Sequence, residues 1–281
     1  MVSSNSPTAP LIIIIGITGS QGSSVARALL ASSKPYRLVG VTRDASKPAS
    51  KAWIEKGLTL KELTVAVGNE EAVKKAFGGA DAVFAMTDSW AHFDFQREVA
   101  EGKLLVDAAL SAKVKLFIWS ALESLSDLTG GKYPGCTFYE TKAEITRYLQ
   151  ASGQAYALVQ PACYFSNLLV SLNLYTPRLQ PDGTYLLALP SAPKSTMAWF
   201  DAPVDYGLYV RAVLENPGVG EGAEVLCGSE ASFEEVVEVL SRVTGKTVKY
   251  KQVGKDEFFE LFKDLGKVRR NPSLFQRLRA G

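Results

Sequence analysis

The sequence predicts an α/β protein: a doubly wound parallel sheet with a smaller C-terminal lobe. Three observations carry that expectation. A β-branched run, Ile12 to Ile15 between Pro10 and Gly16, suits a central strand covered on both faces. Strand-like and helix-like segments then alternate as far as Gln160, the signature of βαβ units. Glycines at 16, 19 and 22 fill the first strand-to-helix turn, where such a sheet holds the phosphates of a dinucleotide against a helix N-terminus.

The elements follow in order. The helix pattern Val25, Ala28, Leu29 starts directly after the glycine turn, and Tyr36 to Arg43 reads as the second strand. A helix from about Ala49 to Lys56, a third strand from Leu58 to Val67, a short helix over 70–77 and a fourth strand from Asp81 to Met86 come next. Phe95, Val99, Gly102, Val106, Ala109 and Leu110 form a buried helical stripe, and Val114 to Trp119 makes the fifth strand. A helix from about Tyr139 to Ala151, with Ile145, Tyr148 and Leu149 inward, leads to the strand Ala155 to Gln160, which Pro161 ends. The rhythm then changes to Tyr164, Phe165, Leu168, Leu169, Leu172, Leu174 and Tyr175, and to a Pro-rich stretch over 177–193. The segment reads either as ordinary core or as a cover over a substrate. A helix over 233–243, a strand over 247–251 and a charged helix from Asp256 complete the pattern.

The spacing of the turn is GxxGxxG, which permits a tight turn and a close approach of backbone to pyrophosphate. About 20 residues further on, where an acid would bind the ribose of NAD, stands Arg43. A guanidinium forks onto a 2′-phosphate that an acid would repel, so the residue type favours NADP(H). Lys47 adds charge nearby; the alternative is that Arg43 is a solvated loop residue and Asp44 reaches the ribose. The carboxyl strand ends form the ligand crevice of an open sheet, so Met86, Thr87, Asp88, Ser120, Ala121 and Leu122 are expected to border the nicotinamide half.

Composition narrows the class. With 31 basic and 29 acidic residues in 281, net charge +2, there is no basic stripe to argue for direct nucleic-acid binding. Residues 1–9 read as a flexible tail without Lys or Arg, and the apolar run after it is too short for a signal sequence or a membrane span. Three widely spaced cysteines, Cys136, Cys163 and Cys227, argue against a disulfide framework and for a reducing, cytoplasmic setting. The single histidine, His92, leaves no multi-histidine metal site, and no metal is expected.

Several motifs carry a family resemblance: GITGSQG over 16–22, the Val41, Thr42, Arg43 triplet, LLVDAA over 104–109, FIWS over 117–120, YETK over 139–142 and QPACYFSN over 160–167. Together with YLLALP over 185–190 and DAPVDYG over 201–207, the chain resembles NmrA-like proteins, a branch of the atypical short-chain dehydrogenase/reductases that includes NADPH sensors. The resemblance implies a Rossmann domain over 10–162 holding NADP(H) and a smaller substrate or partner lobe over 163–281, with segments around 201–228 packing back on the Rossmann domain. It also implies site residues. Gly16, Thr18, Gly19, Ser20, Gln21 and Gly22 would carry the pyrophosphate and Arg43 the 2′-phosphate. Thr87 would lie along the nicotinamide ribose, Lys142 would serve the ribose or the catalysis, and Ser120 counts with the cofactor contacts at the strand ends. Asn69 stands where the family has an Asp at the adenine edge, and its amide still accepts and donates. Trp90, Leu122, Cys163, Tyr164 and Asn167 would line the substrate side.

Whether the chain catalyses is left open by one position. Short-chain reductases protonate the developing alkoxide with a Tyr four residues before a Lys, and here that residue is Phe138, while the usual serine partner has become Leu122. Tyr139 lies three residues before Lys142, turned by about 100° around the helix from the acid position. Two functions therefore stand: a reductase for a small carbonyl, enone or imine-type metabolite, with Lys142 acting alone or through water as in isoflavone-reductase-like enzymes and Tyr139 as a substitute donor; or a non-catalytic NADPH sensor acting through a protein partner. A third reading is an isomerase or cyclase that keeps NADP without redox chemistry. Oligomeric state has no signal in the sequence.

Overall fold

A computed structural model describes residues 3–170, 174–216 and 220–261. Of the sequence expectations, Leu172 lies outside these residues, and so does the side chain of Trp90. Two compact units divide the chain, one of residues 1–161 with 202–227, the other of 162–201 with 228–281.

In the first unit the chain runs β1 (Leu11–Ile15), α1 (Ser20–Leu30), β2 (Arg37–Thr42), α2 (Pro48–Glu55), β3 (Thr59–Glu62), α3 (Glu70–Phe77), β4 (Ala82–Ala85), α4 (Phe95–Ser111), β5 (Leu116–Ser120), α5 (Leu125–Leu128), α6 (Thr137–Ala151) and β6 (Tyr156–Gln160). The second unit then contributes β7 (Cys163–Tyr164), β8 (Arg178–Leu179), β9 (Tyr185–Leu189) and β10 (Thr196–Phe200). The chain returns with α7 (Ala202–Glu215) and β11 (Glu224–Leu226), and ends its described course with β12 (Ser229–Ser232), α8 (Phe233–Thr244) and β13 (Val248–Gln252). No helix among the described residues is long and apolar enough to cross a membrane.

The first unit is a seven-stranded sheet in the order β11-β6-β5-β4-β1-β2-β3, every pair parallel. The order reverses at β1, so the crevice of a doubly wound sheet falls at the carboxyl ends of β1 and β4. Ile12, Ile13 and Ile14 are sealed on both faces, as parallel strands under helices must be. Close approaches fix the helices. A Cβ on Gly102 would lie 2.4 Å from Ile145 Cδ1, so the Ile145 side chain of α6 seats directly on the bare backbone of α4 at that point. A Cβ on Gly207 would lie 2.1 Å from the Ser24 carbonyl oxygen, and the Gly207 amide donates to Ser24 Oγ at 2.9 Å, which seats α7 on α1.

The second unit holds two three-stranded sheets, β12-β10-β7 and β13-β9-β8. Its core gathers Leu168, Leu187, Leu189, Trp199, Phe233, Val236 and Val237. Ser232 and Glu235 close a capping box at the start of α8, and Gly245 ends that helix in the left-handed region.

Several expectations are corrected. The third strand stops at Glu62 instead of reaching Val67, because its partner β2 ends at Thr42, whose carbonyl takes the Leu63 amide at 2.8 Å. Leu110 is 45% exposed, one step off the buried face of α4. Before β1, Ser3 Oγ accepts from the Leu38 amide at 2.9 Å, and the Ser4 amide donates to the Tyr36 carbonyl at 2.8 Å. Helix α7 and the short strands of the second unit have too little periodicity to be read in advance.

Candidate functional site

The glycine turn leaves β1 with Gly16 in the left-handed region, φ +69°, which a residue with a Cβ adopts only at a cost. The Gly19 amide donates back to the Gly16 carbonyl at 2.9 Å, closing the turn. Gly22 has no alternative: its Cβ would stand 2.3 Å from the Gly16 oxygen. Helix α1 then begins with Gly19 as its cap, without a side-chain cap and without an acid in the first turn. The positive end of the helix dipole is therefore left without an acid in the helix's own first turn to neutralise it. Thr18, Gly19 and Ser20 are exposed at the tip, while Gln21 and Gly22 are buried. A cradle that a Cβ would fill and a bare helix N-terminus fit a pyrophosphate.

Arg43 follows the last residue of β2 and is exposed, with no ion pair or hydrogen bond to the described residues. Asp44 is otherwise engaged. Its carboxylate accepts from the Ser46 amide at 2.8 Å and the Ser46 hydroxyl at 2.6 Å, and those two bonds hold it below the usual carboxylate range. Lys47 lies 4.0 Å from the same carboxylate. Asn69 caps α3 from the loop beyond β3, where its Nδ2 donates to the Thr64 carbonyl at 2.9 Å.

At the carboxyl end of β4 the structure builds a closed polar cluster. Lys142 Nζ donates to the Thr87 carbonyl at 2.9 Å and to Thr87 Oγ1 at 2.5 Å. It lies 3.3 Å from Glu98 Oε1 and 4.9 Å from the centre of the Trp119 ring. Glu98, on α4, is completely buried. It accepts from Thr87 Oγ1 at 2.7 Å, Ser89 Oγ at 2.5 Å and Thr141 Oγ1 at 3.0 Å. The close packing at Gly102 and Ile145 makes this meeting possible, since Glu98 and Lys142 each lie about one turn earlier on their helices. Burial alone would raise the Glu98 carboxyl, but the Lys142 ammonium and the three hydroxyl donors more than offset it and hold the group below its ordinary range. Burial pulls Lys142 down from the ordinary lysine value, against the upward pull of Glu98 and Asp88.

Sequence reasoning missed Glu98. A signal was present: Glu98, Gly102, Leu105 and Ala109 share one helical face, and three of the four are small or apolar. An acid on such a face has to find a buried partner.

The other expected residues are placed as follows. Ser120 is buried at the end of β5 and Leu122 half-buried just beyond. Phe138 packs edge-on against Phe95 of α4, ring centres 5.4 Å apart. Tyr139 is half-buried in the first turn of α6. In the second unit, Asn167 Nδ2 donates to Cys163 Sγ at 3.4 Å, and Tyr164 packs edge-on against Phe200 at 5.2 Å. Burial raises the Cys163 thiol above its ordinary value, against the lowering pull of the Asn167 hydrogen bond.

An open parallel sheet whose first turn is a glycine cradle defines the class: a doubly wound protein of the dinucleotide-binding type. The model of the NmrA-like family matches residues 8–270, and the chain belongs to that family. It is 27% identical over 255 residues to an NmrA-like family domain-containing protein of Dictyostelium discoideum, covering 88% of this chain and 82% of that one. It is 29% identical over 268 residues to an NmrA-like family domain-containing oxidoreductase of Aspergillus campestris, covering 89% and 77%. Among solved structures, NmrA, a negative transcriptional regulator solved in complex with NADP, shares the fold with a TM-score of 0.75 at 24% identity, covering 87% of this chain and 74% of that one.

Proposed function

We propose that this chain binds NADP(H) at the glycine turn and reduces a small carbonyl, enone or imine-type metabolite. The observation that carries the reading is the start of α1 without a side-chain cap together with an exposed Arg43 one strand away that has no ion pair among the described residues, a phosphate cradle and a cation beside it. Asp44, the residue that would serve NAD, spends its carboxylate on Ser46. The oxidoreductase name of the Aspergillus relative supports the reaction class.

Bound NADPH would supply the hydride. The chain supplies the rest: Gly16, Thr18, Gly19, Ser20, Gln21 and Gly22 hold the pyrophosphate, Arg43 the 2′-phosphate, Asn69 the adenine edge, and Thr87, Ser120 and Lys142 border the nicotinamide end. On the substrate side Leu122 of the first unit remains a candidate, and Tyr139 the candidate donor. The three thiols form no disulfide, which suits a cytoplasmic setting.

The test is to incubate the purified protein with NADPH and a panel of small carbonyls, enones and imines, following the absorbance of the reduced cofactor. Consumption that depends on one compound class supports the reductase. Phe138 in the acid position and the engagement of Lys142 with Thr87 and Glu98 favour a second reading, an NADPH sensor acting through a protein partner. Tight NADPH binding with no consumption across the panel would select it.

A further inference from the structure

We propose that Glu98 is a positioning residue that keeps Lys142 a permanent ammonium, so that Lys142 acts at the nicotinamide end as a fixed positive charge and not as a proton donor. The inference rests on the reading of Lys142 as a residue beside the cofactor; the charge state of the lysine is testable without any cofactor.

The geometry makes the case. An ammonium has three N–H donors. Lys142 meets three acceptors within 3.3 Å: the Thr87 carbonyl, the Thr87 hydroxyl and Glu98 Oε1. Glu98 is in turn filled by hydroxyls from Thr87, Ser89 and Thr141. Thr87 Oγ1 ties the two together, accepting from Lys142 while donating to Glu98. Loss of a proton from Lys142 would strand a carboxylate that has no exposure to solvent, and an unpaired buried charge is far more costly than a paired one.

The charged groups that face Lys142 are Glu98 from α4 and Asp88 from the segment after β4, while β5 offers the ring face of Trp119. Burial favours deprotonation and both acids oppose it, and Glu98 is the one that also fixes the position of Nζ. The proton that completes a reduction then comes from a group other than Lys142.

The experiment is carbon NMR of the full chain with lysine labelled at Cε, the Lys142 signal being the one lost in Lys142→Arg. The signal should report an ammonium from about pH 6 to about pH 9 in the unmodified protein. In Glu98→Gln the titration midpoint should fall by about 1–3 pH units, the effect of removing an opposite charge at this distance. Glu98→Asp, which keeps the charge, should shift it less and serves if the Gln variant does not fold. A neutral Lys142 at about pH 7 in the unmodified protein, or an unmoved midpoint in the variants, would overturn the proposal. A role that is merely structural would leave the midpoint where it is. NADPH titrated into the same samples separates the two claims, since failure to bind would count against the cofactor reading and leave the lysine midpoint intact.

Discussion

The turn after β1 and the cluster after β4 lie at neighbouring strand ends of one sheet and are built in opposite ways. Around α1 the chain withholds side chains: Gly16, Gly19 and Gly22 leave the helix start without a side-chain cap, and Arg43 stands exposed without an ion-pair partner among the described residues. Around Lys142 it supplies buried partners for the ammonium and for the Glu98 carboxylate. The first region stores unsatisfied electrostatics for a ligand to complete, whereas the second completes them internally and so presents a charge whose position is already fixed. A cofactor arriving at this sheet would be gripped by the open region and oriented against the closed one.

Removing one half of the closed pair should give the largest effect. Lys142→Met leaves Glu98 buried and unpaired and is expected to destabilise the fold by about 3–5 kcal/mol in urea denaturation, with Glu98→Gln in the same chain restoring most of the loss. A double variant no better than the single one would show that the pair is not coupled. The same pair has a pH signature. Glu98 has its carboxyl held below the ordinary value, so its contribution is present above the unfolded-state value of about 4.3 and is lost as pH falls through the lower folded value. Thermal unfolding on acidification should therefore show a loss of stability in that window that is absent from Glu98→Gln carrying Lys142→Met.

Effects in the open region should fall on binding instead. Arg43→Asp should weaken NADPH binding by about 10–100-fold, the worth of hydrogen bonds to a charged group, and leave NADH nearly unchanged; equal losses for both would remove Arg43 from the 2′-phosphate. Gly22→Ala forces a Cβ to within 2.3 Å of the Gly16 oxygen and should cost about 1–3 kcal/mol of stability as well as binding. Smallest of all, Asp44→Ala should change NADPH affinity by less than about twofold, since its carboxylate serves the local turn at Ser46 and the nearby Lys47.

The two regions also differ in how legible they were. Strand, glycine turn and Arg43 could be read because backbone requirements are written in residue types, Gly where a Cβ cannot fit and β-branched residues where both strand faces are covered. The helix over Glu70–Phe77 could be read to its ends for the same reason, with acids in its first turn and lysines in its last. Glu98 could not be singled out, because its meaning depends on Lys142, distant in the chain and brought close only where Gly102 admits Ile145. The short strands β7, β8 and β11 have two or three residues each, too few for a period to register.

The central claim is that the open cradle and Arg43 select a phosphorylated dinucleotide. Parallel titrations of the purified protein with NADPH and NADH, followed by cofactor fluorescence, test it most directly. The account predicts saturable NADPH binding with NADH clearly weaker, and a preference that disappears in Arg43→Asp. Equal affinity for the two cofactors, or no binding of either, would contradict it.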